Sequence, residues 1–154
     1  MKKLDNTLII GIGNNTRQDD GLGWYFLDSL EKDDFNPENL LYKYQLMVED
    51  AEIISAYETV IFVDASKEHS ANGFKIERIF PSEQVAFSTH AVPPNQILNL
   101  CATIYHKKPK AYVIKIDGYE WDYKIELSKE AETNLNNAIK SFTQVLLPRI
   151  IAKK

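Results

Sequence analysis

The sequence has a single cysteine, Cys101, and its solitude excludes several designs. No internal disulfide is available, and no Cys-x-x-Cys pair offers a zinc site. Such usage fits a reducing cytoplasm. No apolar run approaches the roughly 20 residues that a membrane-spanning helix requires. Met1-Lys2-Lys3 opens in the manner of a signal peptide, but Asp5 and Asn6 interrupt it, and Leu8-Ile9-Ile10 is too short for the apolar segment. A soluble, cytoplasmic protein with no membrane partner is expected. Blocks of like charge, internal repeats and low-complexity stretches are also missing. Acids outnumber bases by 22 to 18, a net charge of −4, which argues against a nucleic-acid partner. Neither a Gly-x-Ser-x-Gly elbow nor a Walker-type lysine motif occurs.

What the chain does have is apolar patterning. Its 154 residues suit one domain, 1–154, large enough to bury a core unaided. Thr7 to Gly11 and Thr59 to Val63 are continuous apolar runs, as in strands covered on both faces. Leu40, Tyr42 and Tyr44 alternate with their neighbours, Phe74 to Phe80 alternates as a half-exposed strand before Pro81, and Ala111 to Ile116 supplies a fifth strand. Helical spacing appears at Trp24, Leu27 and Leu30, with Asp19 or Asp20 as N-cap. It recurs at Val48, Ala51 and Ile54, at Ile97, Leu100, Cys101 and Ile104, and from Ser128 through Leu146, where Pro148 should end or bend the last helix. The expected fold is a three-layer α/β sandwich: about five strands in a mostly parallel twisted sheet, helices on both faces, and the fourth strand as a candidate antiparallel edge. Right-handed crossovers then gather the loops after the strands at one sheet edge, where open α/β sheets bind ligands.

Three places in those loops carry chemistry. Gly11-Ile12-Gly13-Asn14 and Asp19-Asp20-Gly21-Leu22-Gly23 lie between the first strand and first helix. A dinucleotide fingerprint would want glycine at position 16, where Thr16 stands, so a nucleotide-binding enzyme is the weaker alternative. Aspartates placed there commonly cap helices, and one of the pair is free for chemistry if the other caps. Asp64 ends the most apolar strand, where an unpaired carboxylate is costly; a hydrogen-bonded loop acid is the equal alternative. His90 sits in the long loop after the fourth strand, although an isolated histidine is more often structural than a ligand. His69 and His106 lie in polar stretches and read as solvated, Cys101 as core, and most tyrosines and phenylalanines as core. Two carboxylates and an imidazole meeting at one edge would suit a borderline divalent ion with positions left open.

These residues resemble, in order, the motifs of the hydrogenase maturation endopeptidases, which process the large subunit of nickel–iron hydrogenases. The resemblance begins with the two glycine-rich segments above. It continues through Val63-Asp64-Ala65, Ser88-Thr89-His90, Ile116-Asp117-Gly118 and Leu127-Ser128, and so covers nearly the whole chain. It implies that Asp20, Asp64 and His90 are metal ligands and catalytic residues. Position 20 is Glu or Asp in such proteins, and the shorter Asp shifts the carboxylate by roughly one C–C bond. Gln45-Leu46 followed by Glu49 resembles a pattern of one branch, with Gln45 as a peptide-contacting residue. Gly11, Gly13, Asn14, Asp19, Gly21 and Gly23 would shape a groove for the substrate. The family's activity implies a peptide-bond hydrolase acting on a large-subunit precursor after nickel insertion, a nickel ion presented by that substrate, and zinc or cadmium only as substitutes. A monomer is expected, and a module that recognises the nickel-loaded subunit without cutting it is the nearer alternative.

Overall fold

The computed structural model describes residues 1–83 and 92–152; His90 lies outside them. Five strands form one sheet: β1 (Thr7–Ile12), β2 (Leu40–Lys43), β3 (Thr59–Ser66), β4 (Phe74–Ile79) and β5 (Lys110–Asp117). Their order is β2-β1-β3-β5-β4, all parallel except the β4–β5 pair. Strand β1 is buried at every position, as a strand covered on both faces must be. Strand β4 alternates, being solvated on one face of the edge. The half-exposed strand is thus antiparallel, as its pattern suggested.

The helices are α1 (Leu22–Lys32), α2 (Asp50–Ser55), α3 (Pro94–Ile104), α4 (Lys129–Ser141) and α5 (Leu147–Ala152). Helices α1 and α4 bury Phe26, Leu30, Ala131 and Leu135 on Ile9, Ile61, Val63 and Ile114. Helices α2 and α3 bury Ala51, Ile54, Ile97 and Cys101 on Leu8, Ile10, Val60 and Phe62 on the other face. Odd and even residues of β1 and β3 separate between these two cores, the period-two rule of a strand. The result is the expected three-layer sandwich.

Several local expectations need correction. Strand β2 stops at Lys43, leaving Tyr44 69% exposed. Val48 and Ile104 were expected on buried stripes but are exposed: Val48 lies in the turn before α2, and Ile104 is the last residue of α3. Pro148 does not end the last helix. A five-residue π turn (Phe142–Leu146) precedes it and α5 continues beyond. A proline lacks the N–H for the carbonyl one turn back, and a widened turn absorbs that defect.

Topology locates the site. From β1 the chain moves outward to β2, then crosses back past β1 to β3. The sheet order therefore reverses between β1 and β3, and the crevice beyond their carboxyl ends is where doubly wound sheets bind ligands.

Candidate active site

The connection from β1 to α1 reaches that crevice because two chain segments touch. Gly23, in the first turn of α1, packs directly on the ends of both strands. A Cβ there would lie 2.5 Å from the Val63 carbonyl oxygen and 2.6 Å from that of Ile12. No side chain fits at such distances. Gly13 adopts φ +146, and the space a Cβ would take is filled by the Asp20 carbonyl, which accepts from Asn14 N–H at 3.0 Å. Gly11 faces the Gly23 carbonyl, and Gly21 packs on Asn15 and Tyr25. The glycine loop is thus closed by its own backbone rather than open as a phosphate cradle.

Neither aspartate caps α1. Its N-cap is Gly21, with no side-chain capping bond, because a 3-10 turn (Gln18–Gly21) intervenes. Asp19 turns inward and is fully buried. Its carboxylate accepts from Tyr119 N (2.7 Å), Glu120 N (3.0 Å), Ser128 N (2.8 Å) and Ser128 Oγ (2.7 Å). Those donors belong to the connection between β5 and α4. Gln18, also buried, joins the same strap: its Nε2 donates to Glu120 Oε2 and its Oε1 accepts from Asp122 N, both at 3.0 Å. It does so at φ +44, a conformation uncommon for a side chain of its size and held by these bonds. Ser128 Oγ accepts from Ala131 N, so one hydroxyl both caps α4 and anchors Asp19. No motif or period in the sequence singles out Gln18. The strap draws the β5 loop over the β1 loop and leaves Asp20 as the acid facing the crevice.

Asp64 lies two residues before the end of β3, opposite Lys115 in the register with β5. One carboxylate oxygen accepts from Ala65 N at 2.8 Å. Burial pushes its pKa up to about 7; the neighbouring Asp20 charge adds to the rise, while the Ala65 N–H and Lys115 oppose it. Asp20 is also raised, by burial, against the pull of Arg17, the Asn14 N–H and Lys67. Two partly buried carboxylates, both raised by burial and one raised further by the charge of the other, therefore share the switch point. Among the described residues, no three His, Cys, Asp or Glu side chains gather in a way that would hold a metal ion.

The third sequence-proposed ligand, His90, lies outside the described residues. Strand β4 runs antiparallel, so its end, Ile79, pairs with Ala111 at the start of β5, on the edge away from Asp64. The loop after β4 therefore leaves from the opposite edge. Val92, where the description resumes, donates to the Leu46 carbonyl at 3.0 Å, in the connection that follows β2 at the carboxyl edge.

The remaining sequence-chosen residues sit around this edge. Asn14 turns its Oδ1 to Thr16 N (3.0 Å) and Thr16 Oγ1 (2.6 Å). Gln45 is exposed, with Nε2 on Met47 Sδ at 3.4 Å. Beside it the Tyr44 ring lies 5.0 Å from that of Trp24, whose Nε1 donates to the Lys43 carbonyl at 3.0 Å. Tyr44, Tyr119 and Tyr123 are exposed in loops at this edge rather than in the core. Asp117 is fully buried and takes Ser70 N (2.5 Å) and Ser70 Oγ (3.3 Å), so it fixes the segment after β3.

No protein-family model matches the sequence, and no curated protein matches it. Solved structures do. The hydrogenase maturating endopeptidase HybD from E. coli superposes with a TM-score of 0.67 at 19% identity, over 97% of this chain and 94% of that one. The [NiFe] hydrogenase maturation protease HycI from Thermococcus kodakarensis gives 0.66 at 22% identity, over 95% and 92%. A hydrogenase 2 maturation peptidase from a Thaumarchaeota archaeon gives 0.64 at 22%, over 91% and 97%. Across nearly its full length, the chain has the fold of the hydrogenase maturation proteases.

Proposed function

We propose that the chain is a cytoplasmic endopeptidase that removes the C-terminal extension of a nickel–iron hydrogenase large-subunit precursor after nickel insertion. The chief support is the pairing of Asp20 and Asp64: two burial-raised carboxylates facing one crevice, at the switch point of a fold shared with proteins of that activity. Carboxylates held this way gain by meeting a cation, which offsets both their burial and their mutual repulsion. In this reading the cation is the precursor's own nickel, and His90 is the third ligand. Three protein ligands leave open positions for groups of the precursor and for water. No resident zinc is needed; zinc or cadmium would be stand-ins for the substrate's ion.

Hydrolysis adds one water across the scissile bond. The water's oxygen attacks the carbonyl carbon, and its proton passes to a carboxylate. The C–N bond then breaks, and the proton ends on the amine of the released extension. Asp64, titrating near neutrality, is suited to take and return that proton. Asn14, Gln45 and the Trp24–Tyr44 surface border the crevice and would contact the peptide. Asp19, by contrast, supports the loop from within.

The test is cleavage of purified nickel-loaded precursor, read by mass spectrometry. The protein should release the extension as a monomer, whereas Asp20→Ala and His90→Ala should not, although both keep the parent's circular dichroism. Normal cleavage by both variants refutes the site. Tight binding of precursor without any cleavage by the parent favours the recognition module instead.

A further inference from the structure

Two cations stand beside Asp20, and among the described residues neither is neutralised. Arg17, in the β1 loop, lies with its guanidinium carbon 5.1 Å from the Tyr123 ring centre and donates Nη2 to the Trp121 carbonyl at 3.3 Å. Lys67, the first residue after β3, holds its Nζ 5.3 Å from the Trp121 ring centre. Among the described residues neither joins an ion pair, although both act on Asp20. Both aromatic supports come from the strap that Gln18 and Asp19 clamp in place. Aromatic faces orient a cation without cancelling its charge. These two positive groups are therefore fixed at the crevice mouth and remain open to an anion.

A site meant only to collect a bare divalent ion would gain nothing from two cations at its rim, since they repel that ion. The arrangement fits a metal that arrives already dressed in negative groups. A nickel ion carried by another protein is held there by donor side chains, and the thiolate and carboxylate donors among these are anionic. We infer that Arg17 and Lys67 form a cationic rim that receives the anionic donor side chains by which the precursor presents its metal. The inference rests on the reading of Asp20 and Asp64 as receivers of substrate-borne nickel. It divides recognition into two signs: carboxylates for the ion, and cations for the ligands around it.

The double variant Arg17→Gln/Lys67→Met tests it, because the rim predicts opposite shifts for two probes. Binding of nickel chloride alone, measured by calorimetry, should be unchanged or several-fold tighter than in the parent. The affinity for nickel-loaded precursor should fall by about tenfold, and its salt dependence should flatten. Unchanged precursor affinity overturns the rim. So does a parallel loss for both probes, which would mark damage to the site rather than lost recognition. Asp20→Ala separates this from the underlying reading. If that variant binds loaded precursor as well as the parent does, the carboxylates do not receive nickel, and the rim falls with them.

Discussion

Replacing Asp64 by asparagine should stabilise the protein, and more so at high pH than at low. In the folded chain the carboxyl titrates at about 7, against an ordinary 3.8, chiefly because burial penalises its charge. As pH rises the unfolded chain loses this proton first. Stability therefore declines from about pH 4 until the folded group ionises near 7, and is level beyond. A gap of about three pH units corresponds to about 4 kcal/mol at that plateau. At pH 5 the penalty is only about 1.7 kcal/mol, so raising the pH to 8.5 should widen the difference between variant and parent by about 2.5 kcal/mol. Asparagine keeps the shape, and its Oδ1 can still accept the 2.8 Å bond from Ala65 N. For a chain of this size the plateau difference raises Tm by about 8–16 °C. Urea unfolding of both proteins at pH 5, 7 and 8.5, followed by circular dichroism, measures the effect. A difference that stays constant with pH, or a variant less stable than the parent at pH 8.5, would refute the claim that burial outweighs pairing at Asp64.

Gly23→Ala forces a methyl group between two strand carbonyls and should destabilise the fold by about 3 kcal/mol in denaturant titration, lifting α1 from the sheet. Asp19→Asn replaces an acceptor of four hydrogen bonds by a group that must turn an N–H toward donors; a loss of about 3 kcal/mol is expected, with faster proteolytic nicking of residues 118–128. Cadmium chloride at 100 times its dissociation constant should stabilise the parent by about 2.7 kcal/mol at pH 8. That gain should shrink at pH 5, where Asp64 is protonated, and largely vanish in Asp64→Asn; equal stabilisation in all three cases would exclude Asp64 as a ligand.

Where hydrophobic period alone decides an element, the sequence was enough. Thr7–Ile12, Thr59–Ser66 and Lys110–Asp117 are strands because their residues pack on both faces, and Phe74–Ile79 is an edge because only one of its faces packs. The burial of Asp64 was legible for a related reason: an acid within such an apolar strand has few ways to be satisfied. Half-exposure of Phe74 to Phe80 marked β4 as the antiparallel edge. That its following loop then leaves from the far edge depends on the order of the whole sheet, which no single strand encodes. Least legible was the strap. Gln18 at positive φ and the bonds from Asp19 to Ser128 span about a hundred residues, and their donors are mostly backbone N–H groups, which every residue type carries alike. For the same reason helix capping misled at Asp19, whose carboxylate found donors in another loop.

Asp19 and Asp20 are adjacent in sequence and opposite in role. The first satisfies four donors in the interior and holds two loops together. The second is carried by that support into a crevice where burial works against its charge and where its charge in turn raises the pKa of Asp64. A sheet selected for stability alone would place another apolar residue at position 64 of β3 and would not set a second acid against it. Rigid support beneath a pair of carboxylates that burial raises despite their partners is one way a fold prepares a site for a charge that comes from outside. Under the proposed function that charge is a cation, which would relieve both acids at once, and its delivery by a partner would account for Arg17 and Lys67 at the rim.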